Sequence, residues 1–274
     1  MNVVLRCSVR GCDEFLSREG ARWTCARNHS FDRHRFGFLN LLQPQDRRSR
    51  HPGDSREAAK ARQRLAGIGH AHEVYRAFTH AIASRSRGRA ATLLDVGCGE
   101  GAFLRQAAST PTLERHGIDI SAPSLERAAK ASPDVLFVLA NADRFLPYAD
   151  RSFDFVTSID ARVNPGEFAR VLRKDGLVLV AVPGPDDLIE LRERVQGGRV
   201  EKSRTPRIEE ELRASFKLLD KTMVLDHKTF EPPALRDLLT ATYRGFRKSE
   251  RENVSLLPTM TLTLSHEVLA FEPR

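Results

Sequence analysis

A segment that ends in Asp95, runs into Gly97-x-Gly99-x-Gly101 and then turns helical is the tightest constraint in this 274-residue chain. Glycines at such a corner let the backbone turn sharply and approach a ligand with no Cβ in the way. The spacing is G-x-G-x-G, not the G-x-G-x-x-G of dinucleotide enzymes, and no Gly-Lys-Ser follows, which excludes a P-loop. About eighteen residues on, the run His116-Gly117-Ile118-Asp119-Ile120 ends in a carboxylate suited to accept hydrogen bonds from both hydroxyls of a ribose. A glycine loop alone is also compatible with a structural turn. With the acidic strand end behind it, the pair points to a nucleotide-type cofactor.

The surrounding pattern alternates short apolar runs with amphipathic stretches. Strands are expected at 92–96, 115–120, 135–140, 153–159 and 176–182, with helices at 101–109, 124–131 and 167–172 between them. Strands apolar on both faces and separated by helices predict a parallel sheet covered on both sides. Upstream, Asp54 or Ser55 can cap a helix over 56–65, and Val74, Phe78 and Ile82 share one face of a helix over 72–84. Downstream, 183–225 reads as charged helix, 228–243 as helix, and 262–264 leading to 268–271 as a final strand.

Charge is segregated. The formal net charge is +8, yet residues 1–90 hold 18 Lys and Arg against 8 Asp and Glu, and residues 91–274 hold 26 against 28. An excess confined to the first third predicts a polyanion bound by that third, since neutralising phosphates drives nucleic-acid affinity. Three of the four cysteines lie in the first 25 residues, as Cys7-x4-Cys12-x12-Cys25-x3-His29. Two short knuckles of this kind suit a closed tetrahedral zinc site of Cys7, Cys12, Cys25 and His29. Inert buried cysteines are the other reading. No run approaches the length of a membrane span and residues 1–6 lack a signal-peptide core, so the expected address is cytoplasmic and no membrane partner is expected. Three parts follow: a zinc-binding module over 1–42, a basic linker with helices over 43–90, and a cofactor-binding domain over 91–274.

Asp95-Val96-Gly97-Cys98-Gly99-Glu100-Gly101 followed by Gly117-Ile118-Asp119-Ile120-Ser121 resembles the first two motifs of the class I methyltransferases. Leu146-Pro147 with Phe153-Asp154, Asn141-Ala142-Asp143, and Arg173-Lys174-Asp175-Gly176 resemble later motifs of the same class, in order. Cys25-x3-His29-Ser30-Phe31-Asp32-x4-Gly37-Phe38-Leu39-Asn40-Leu41-Leu42, then Arg48-Ser49-Arg50-x-Pro52-Gly53-Asp54-Ser55, resembles the N-terminal part of the 23S ribosomal RNA guanine-N1 methyltransferases. The resemblance spans about residues 7–191 and is weak beyond. It implies an α/β fold, a Rossmann-like class I methyltransferase sheet with a small N-terminal zinc-ribbon-like domain. It implies S-adenosylmethionine and Zn2+ as cofactors, with Asp95, Gly97, Gly99, Glu100, Gly101, Asp119, Ile120, Asn141, Ala142 and Asp187 as cofactor-binding residues.

The implied reaction is methylation of N1 of a guanine in large-subunit ribosomal RNA, presented in a hairpin loop. Resistance to a ribosome-targeting drug is one role open to such an enzyme, and a homodimer is possible. Arg33, Arg35, Arg47, Arg48, Arg50, Arg62 and Arg64 are candidate phosphate contacts. The chain departs from the family's pattern at the tail of the fourth strand, where Asp160-Ala161-Arg162 replaces an aromatic residue followed by Ala-Pro. It also has C-x4-C in the first knuckle, Ala71 after Gly69-His70, and Asp187 where some relatives carry histidine. Guanine N1 bears a proton, so a base is needed; Asp160 is the first candidate by position, and His70 and His72 are weaker ones. A small-molecule methyltransferase with a zinc-stabilised substrate cap, or a non-catalytic RNA-binding relative, are the competing readings.

Overall fold

The computed structural model describes residues 3–47, 52–110, 112–196, 203–242 and 257–274. Three short strands, β1 (Leu16–Glu19), β2 (Arg22–Cys25) and β3 (Ser30–Asp32), form a small antiparallel sheet in which Trp23 faces Arg18 and Phe31. The next strand, β4 (Leu39–Asn40), leaves this ribbon to pair in parallel with the edge of the main sheet. Helix α1 (Arg56–Gly67) starts where Ser55 accepts a hydrogen bond from the Ala58 N–H at 3.1 Å, so Ser55 and not Asp54 is the cap. Helix α2 (His72–Ser86) buries Val74, Phe78 and Ile82, the face expected from their spacing.

The alternating region then lays down β5 (Ala91–Val96), α3 (Ala102–Gln106), β6 (Leu113–Asp119), α4 (Ala122–Ala131), β7 (Leu136–Leu139), β8 (Phe153–Ile159), α5 (Pro165–Val171) and β9 (Leu172–Pro183). Two helices follow, α6 (Ile189–Gln196) and α7 (Thr205–Leu212), then β10 (Phe216–Phe230), α8 (Pro232–Thr242) and β11 (Met260–Pro273). Among the described residues the main sheet has eight strands in the order β10-β11-β9-β8-β5-β6-β7-β4. The six from β9 to β4 are parallel to one another, and β11 runs antiparallel to both its neighbours. All six residues of β5 are buried, which is why that strand reads as an unbroken apolar run but for Thr92 and Asp95. The result is an α/β, Rossmann-like sheet with a small zinc-ribbon-like N-terminal unit.

The expectation of helix over 183–225 and from 228 is corrected in part. Helices α6 and α7 form, but Phe216–Phe230 is a strand, and the following helix begins only at Pro232. Along 224–229 the strand alternates half-buried and exposed residues, a period of two hidden beneath a high density of charge. It is held by pairing with β11 from Phe216↔Pro273 to Phe230↔Met260, with one register shift between Leu218 and Asp220, a partnership between distant segments. The predicted end at 243 lies outside the described residues. The final strand expected from 262 to 271 forms and is longer, as β11 runs Met260–Pro273.

The N-terminal unit shares its interior with the sheet. Leu5, Cys7, Cys12, Leu16, Cys25 and Phe31 belong to one buried cluster with Leu94, Ile118, Val138, Phe153 and Val156. On the other face of the sheet Phe78, Phe103, Leu104, Leu125 and Phe137 pack against Leu93 and Leu179. Gly117 sits in this second layer, where a Cβ would lie 2.8 Å from both Cys98 Sγ and Phe137 Cδ1 and 2.9 Å from Leu104 Cδ1. Gly117→Ala is therefore expected to lower unfolding free energy by about 1–3 kcal/mol, read as a reduced denaturation midpoint of the zinc-loaded protein; an unchanged midpoint would show that the layer yields freely.

Candidate active site and metal centre

Cys7 and Cys12 flank a tight turn in which the Cys12 N–H donates to the Val9 carbonyl at 3.0 Å. Cys25 closes β2, and its N–H donates to the His29 carbonyl at 3.1 Å across a turn where Asn28 takes a φ of 63°. The two knuckles bring four ligand atoms within 4.8 Å of one another. His29 Nδ1 is 3.5 Å from Cys7 Sγ and 3.4 Å from Cys25 Sγ, and Cys12 Sγ is 3.9 Å from Cys25 Sγ. Sulfurs about 2.3 Å from a tetrahedral zinc stand about 3.8 Å apart, and a sulfur and a nitrogen about 3.6 Å apart. The spacing matches a tetrahedron of that size, so the residues fit zinc. Burial pushes the Cys7 thiol up to about 12, a cost that a dication offsets by binding the thiolate.

A cavity of about 670 Å3 opens at the carboxyl ends of β5, β6, β7 and β8, the place where open parallel sheets bind ligands. Asp95, Gly97, Gly99, Glu100, Asp119, Ile120, Asn141, Ala142 and Asp160 all line it. Gly97 has a φ of 78°, and a Cβ there would lie 2.4 Å from the Ala161 Cβ. Gly99 has a φ of 54° with nothing within 4 Å of where its Cβ would stand, leaving a cradle open to a ligand. Gly101 is absent from the lining; it precedes α3, and a Cβ there would press on Ala128 and Phe137 at 3.2 Å.

The walls are acidic. Asp95 accepts a hydrogen bond from the Thr157 hydroxyl at 2.8 Å, and burial pushes its carboxyl up to about 7, with Asp119 and Glu100 adding to the rise. Asp119 accepts from the Gly99 N–H at 2.9 Å and the Ser121 N–H at 2.7 Å, and burial raises it too. Burial likewise raises Glu100. Asp160 ends β8 with a φ of 55°, its N–H donating to the Ala181 carbonyl at 3.0 Å. Its side chain is 36% exposed and opens onto the cavity. Desolvation opposes its charge, but His266 beside it and Arg62 nearby prevail, holding the carboxyl below its usual range. An enclosure of several carboxylates favours a cationic ligand. The sulfonium and ammonium of S-adenosylmethionine meet that condition, and the open cradle at Gly99 leaves room, so the residues fit this cofactor.

Some expected site residues lie elsewhere. Asp187 is not in the cavity lining; it accepts from the Ser265 N–H at 3.0 Å, bracing the turn after β9 against β11, and burial pushes it up to about 6. Arg62 points inward, donating to Asp54 at 2.8 Å and to the Ala241 carbonyl at 2.8 Å, and lines the cavity. Arg64 is paired with Asp237 at 2.7 Å. Arg33 donates to the Gly37 carbonyl at 2.8 Å, Arg35 lies 4.8 Å over the Phe36 ring, and Arg47 is exposed. Arg48 and Arg50 fall outside the described residues. His70 lines the cavity, pushed down to about 4 by burial and the neighbouring His266, whereas His72 is exposed. Asp143, from the Asn141-Ala142-Asp143 run, also lines the walls, as do Tyr75 and Arg204, which no motif announces. His266 carries no sequence signal either, because its partner Asp160 is 106 residues away.

Residues 5–50 match the family described as RlmA, N-terminal, and residues 93–176 match the methyltransferase domain family. A 23S rRNA (guanine(748)-N(1))-methyltransferase of Streptomyces fradiae is 30% identical over 82% of this chain and 82% of its own length. A protein of Micromonospora griseorubida, provisionally named a 23S rRNA (guanine-N(1)-)-methyltransferase, is 31% identical over 77% of this chain and 76% of its own. YxjB of Bacillus subtilis, provisionally named in the same way, is 34% identical over 69% of this chain and 68% of its own. The chain belongs to the 23S rRNA guanine-N1 methyltransferase family. It is a methyltransferase whose cofactors are S-adenosylmethionine and zinc.

In this methyltransferase Asp46 links the zinc module to the cavity wall. Asp46, just beyond the zinc module, is buried between Arg10 at 3.1 Å and Arg144 at 2.7 Å, and its carbonyl accepts from the Asn141 side-chain amide at 2.9 Å on the cavity wall. Replacing Cys25 with serine is expected to drop bound zinc well below one per chain and to lower the melting temperature, while Cys98→Ser keeps one zinc; metal analysis of both proteins checks this, and full zinc in the Cys25 variant would remove it from the ligand set.

Proposed function

We propose that this methyltransferase transfers a methyl group to N1 of a guanine in large-subunit ribosomal RNA. The observation that carries the reading is Asp160, a carboxylate opening onto the acidic cavity beside the glycine loop. The Watson–Crick edge of guanine presents N1–H and N2–H donors, so a carboxylate acceptor suits it and does not suit the bare N1 or N3 acceptors of adenine and cytosine. The names of the relatives and the basic first third of the chain support RNA as the acceptor.

S-adenosylmethionine, when bound, supplies an electrophilic methyl on a sulfonium whose C–S electron pair leaves with the sulfur. Asp119 would accept from the ribose hydroxyls, Gly97 and Gly99 would let the backbone approach, and Ile120 with Asn141 and Ala142 would border the adenine. Asp95 and Glu100 would add negative charge near the cation. Asp160 receives the N1 proton, and the freed N–H pair forms the N–CH3 bond, so the carboxyl ends protonated and releases its proton to water with the product. The cavity encloses the reacting edge, so a base in a hairpin loop has to swing out of its stack to reach it. Arg33, Arg35 and Arg47, on or just beyond the zinc module, supply phosphate contacts. Arg62 and Arg64, engaged by Asp54 and Asp237, serve to hold α1 in place.

Incubation with methyl-labelled cofactor and unmodified ribosomal RNA, followed by digestion to nucleosides, is expected to yield labelled 1-methylguanosine. Label in a small metabolite or in another nucleoside, or cofactor binding without transfer, would overturn the assignment. Asp160→Asn should cut the single-turnover rate by about 100-fold or more with cofactor affinity nearly unchanged; a rate near that of the unaltered protein would remove Asp160 from the reaction.

A further inference from the structure

Asp160 does not face the cavity alone. Its two carboxylate oxygens lie 3.2 and 3.3 Å from Nε2 of His266, which is buried in the middle of β11. The approach is fixed by the sheet: β11 runs antiparallel to β9 with His266 opposite Pro183, and the Asp160 N–H is tied to Ala181 on that same strand. A left-handed backbone at Asp160 ends β8 so that one carboxylate both lines the cavity and meets His266. His266 is not itself in the lining, so it reaches the target through Asp160.

Titratable and charged groups face the pair from several elements. From α1, Arg62 faces Asp160; from the turn after α1, His70 faces both members; from α2, Tyr75 faces Asp160. From the turn after β9, Asp187 faces His266 and in turn meets Arg192, while Lys228 of β10 faces His70. His266 therefore stands between two carboxylates. Burial opposes its charge, but Asp160 and Asp187 outweigh that and hold the imidazolium above its ordinary range.

We infer that His266 is a positioning residue for methyl transfer: its imidazolium keeps the Asp160 carboxylate ionised and aimed at the N1–H of the target base. The inference rests on the reading of N1 methylation above. Asp160 must be a carboxylate before it can take a proton. Without the imidazolium, desolvation and the charge of Asp187 behind it would raise the Asp160 carboxyl, with Arg62 left to oppose them. The sign follows directly. With His266 present, Asp160 is already ionised at mildly acidic pH, so no acid limb of its own is expected between about pH 5.5 and 8. Without that charge the Asp160 carboxyl titrates at higher pH, and the rate falls as pH drops through it.

The test is the pH profile of single-turnover methylation of ribosomal RNA by the zinc-loaded full chain and by His266→Gln, which keeps a hydrogen-bond donor and loses the charge. The unaltered protein should show rates at pH 6 and pH 8 within about threefold, and H266Q a new acid limb, its rate at pH 6 at least about tenfold below its own at pH 8. Cofactor affinity should match in the two. A uniform loss across pH, or an unchanged profile, would overturn the positioning role. The coupling is also readable without turnover: Asp160→Asn should lower the titration midpoint of the His266 ring, followed by NMR, and an unmoved midpoint would equally overturn it. If the unaltered protein forms no 1-methylguanosine, the N1 reading itself fails; if it does and H266Q behaves like it, only the role of His266 fails.

Discussion

Burying a carboxylate is expensive unless something answers its charge, and the carboxyl edge of this sheet buries Asp95 and Glu100 and sets the partly exposed Asp119 and Asp160 beside them on the same cavity. Several parts of the fold answer them. Thr157 of β8 donates to Asp95, and the backbone of the glycine loop and the turn before α4 donate to Asp119. Arg62 approaches Glu100 and Asp160 from α1. That arginine is in place only because α1 packs Ala61 and Leu65 against Leu235 and Leu238 of α8 in a separate buried cluster. What remains uncompensated is the environment that a sulfonium would find favourable, so the helices outside the sheet help set the affinity within it.

The zinc centre belongs to the same arrangement. It cross-links two turns that are too short to hold themselves, and its thiols lie in the cluster that continues under the sheet. From there the chain adds β4 to the outer edge and reaches Asp46, whose carboxylate sits between two arginines while its carbonyl holds the Asn141 amide. A buried acid with two cationic partners is costly to break from either side. The metal therefore bears on the cavity through a short run: ligands, edge strand, Asp46, Asn141. The module is physically continuous with the cofactor wall.

What could be read in the sequence depended on distance along the chain. The glycine loop, Asp119 and the Cys7–His29 knuckles are local patterns whose spacing alone specifies geometry, and they stand where that spacing placed them. The strand Phe216–Phe230 was obscured because its identity comes from pairing with β11, some forty residues away, and because its exposed residues mix Leu218, Leu219, Met223 and Leu225 with charged ones and so break the alternation. Arg62 and Asp187 illustrate a second blind spot. Sequence position puts an arginine in a basic linker and an acid after the fifth strand, but side-chain direction is decided by helix packing and by β11. His266 is the extreme case, since nothing within its own neighbourhood hints at Asp160.

The tail of β8 is where this chain parts from its family's pattern, and the departure is physically linked to its surroundings. An aromatic residue at the position of Asp160 would ask for apolar contact; an acid asks for cations, and His266 and Arg62 answer it. The next residue is constrained from the other side. Ala161 lies so close to Gly97 that a Cβ on the glycine would stand 2.4 Å from its own, so neither can grow without displacing the other. The glycine loop and the end of β8 are thus locked together by size at Ala161, while Asp160 beside it is tied by charge to β11 and α1. A change at position 160 can be met by its electrostatic partners, whereas a larger residue at position 161 would displace the glycine loop.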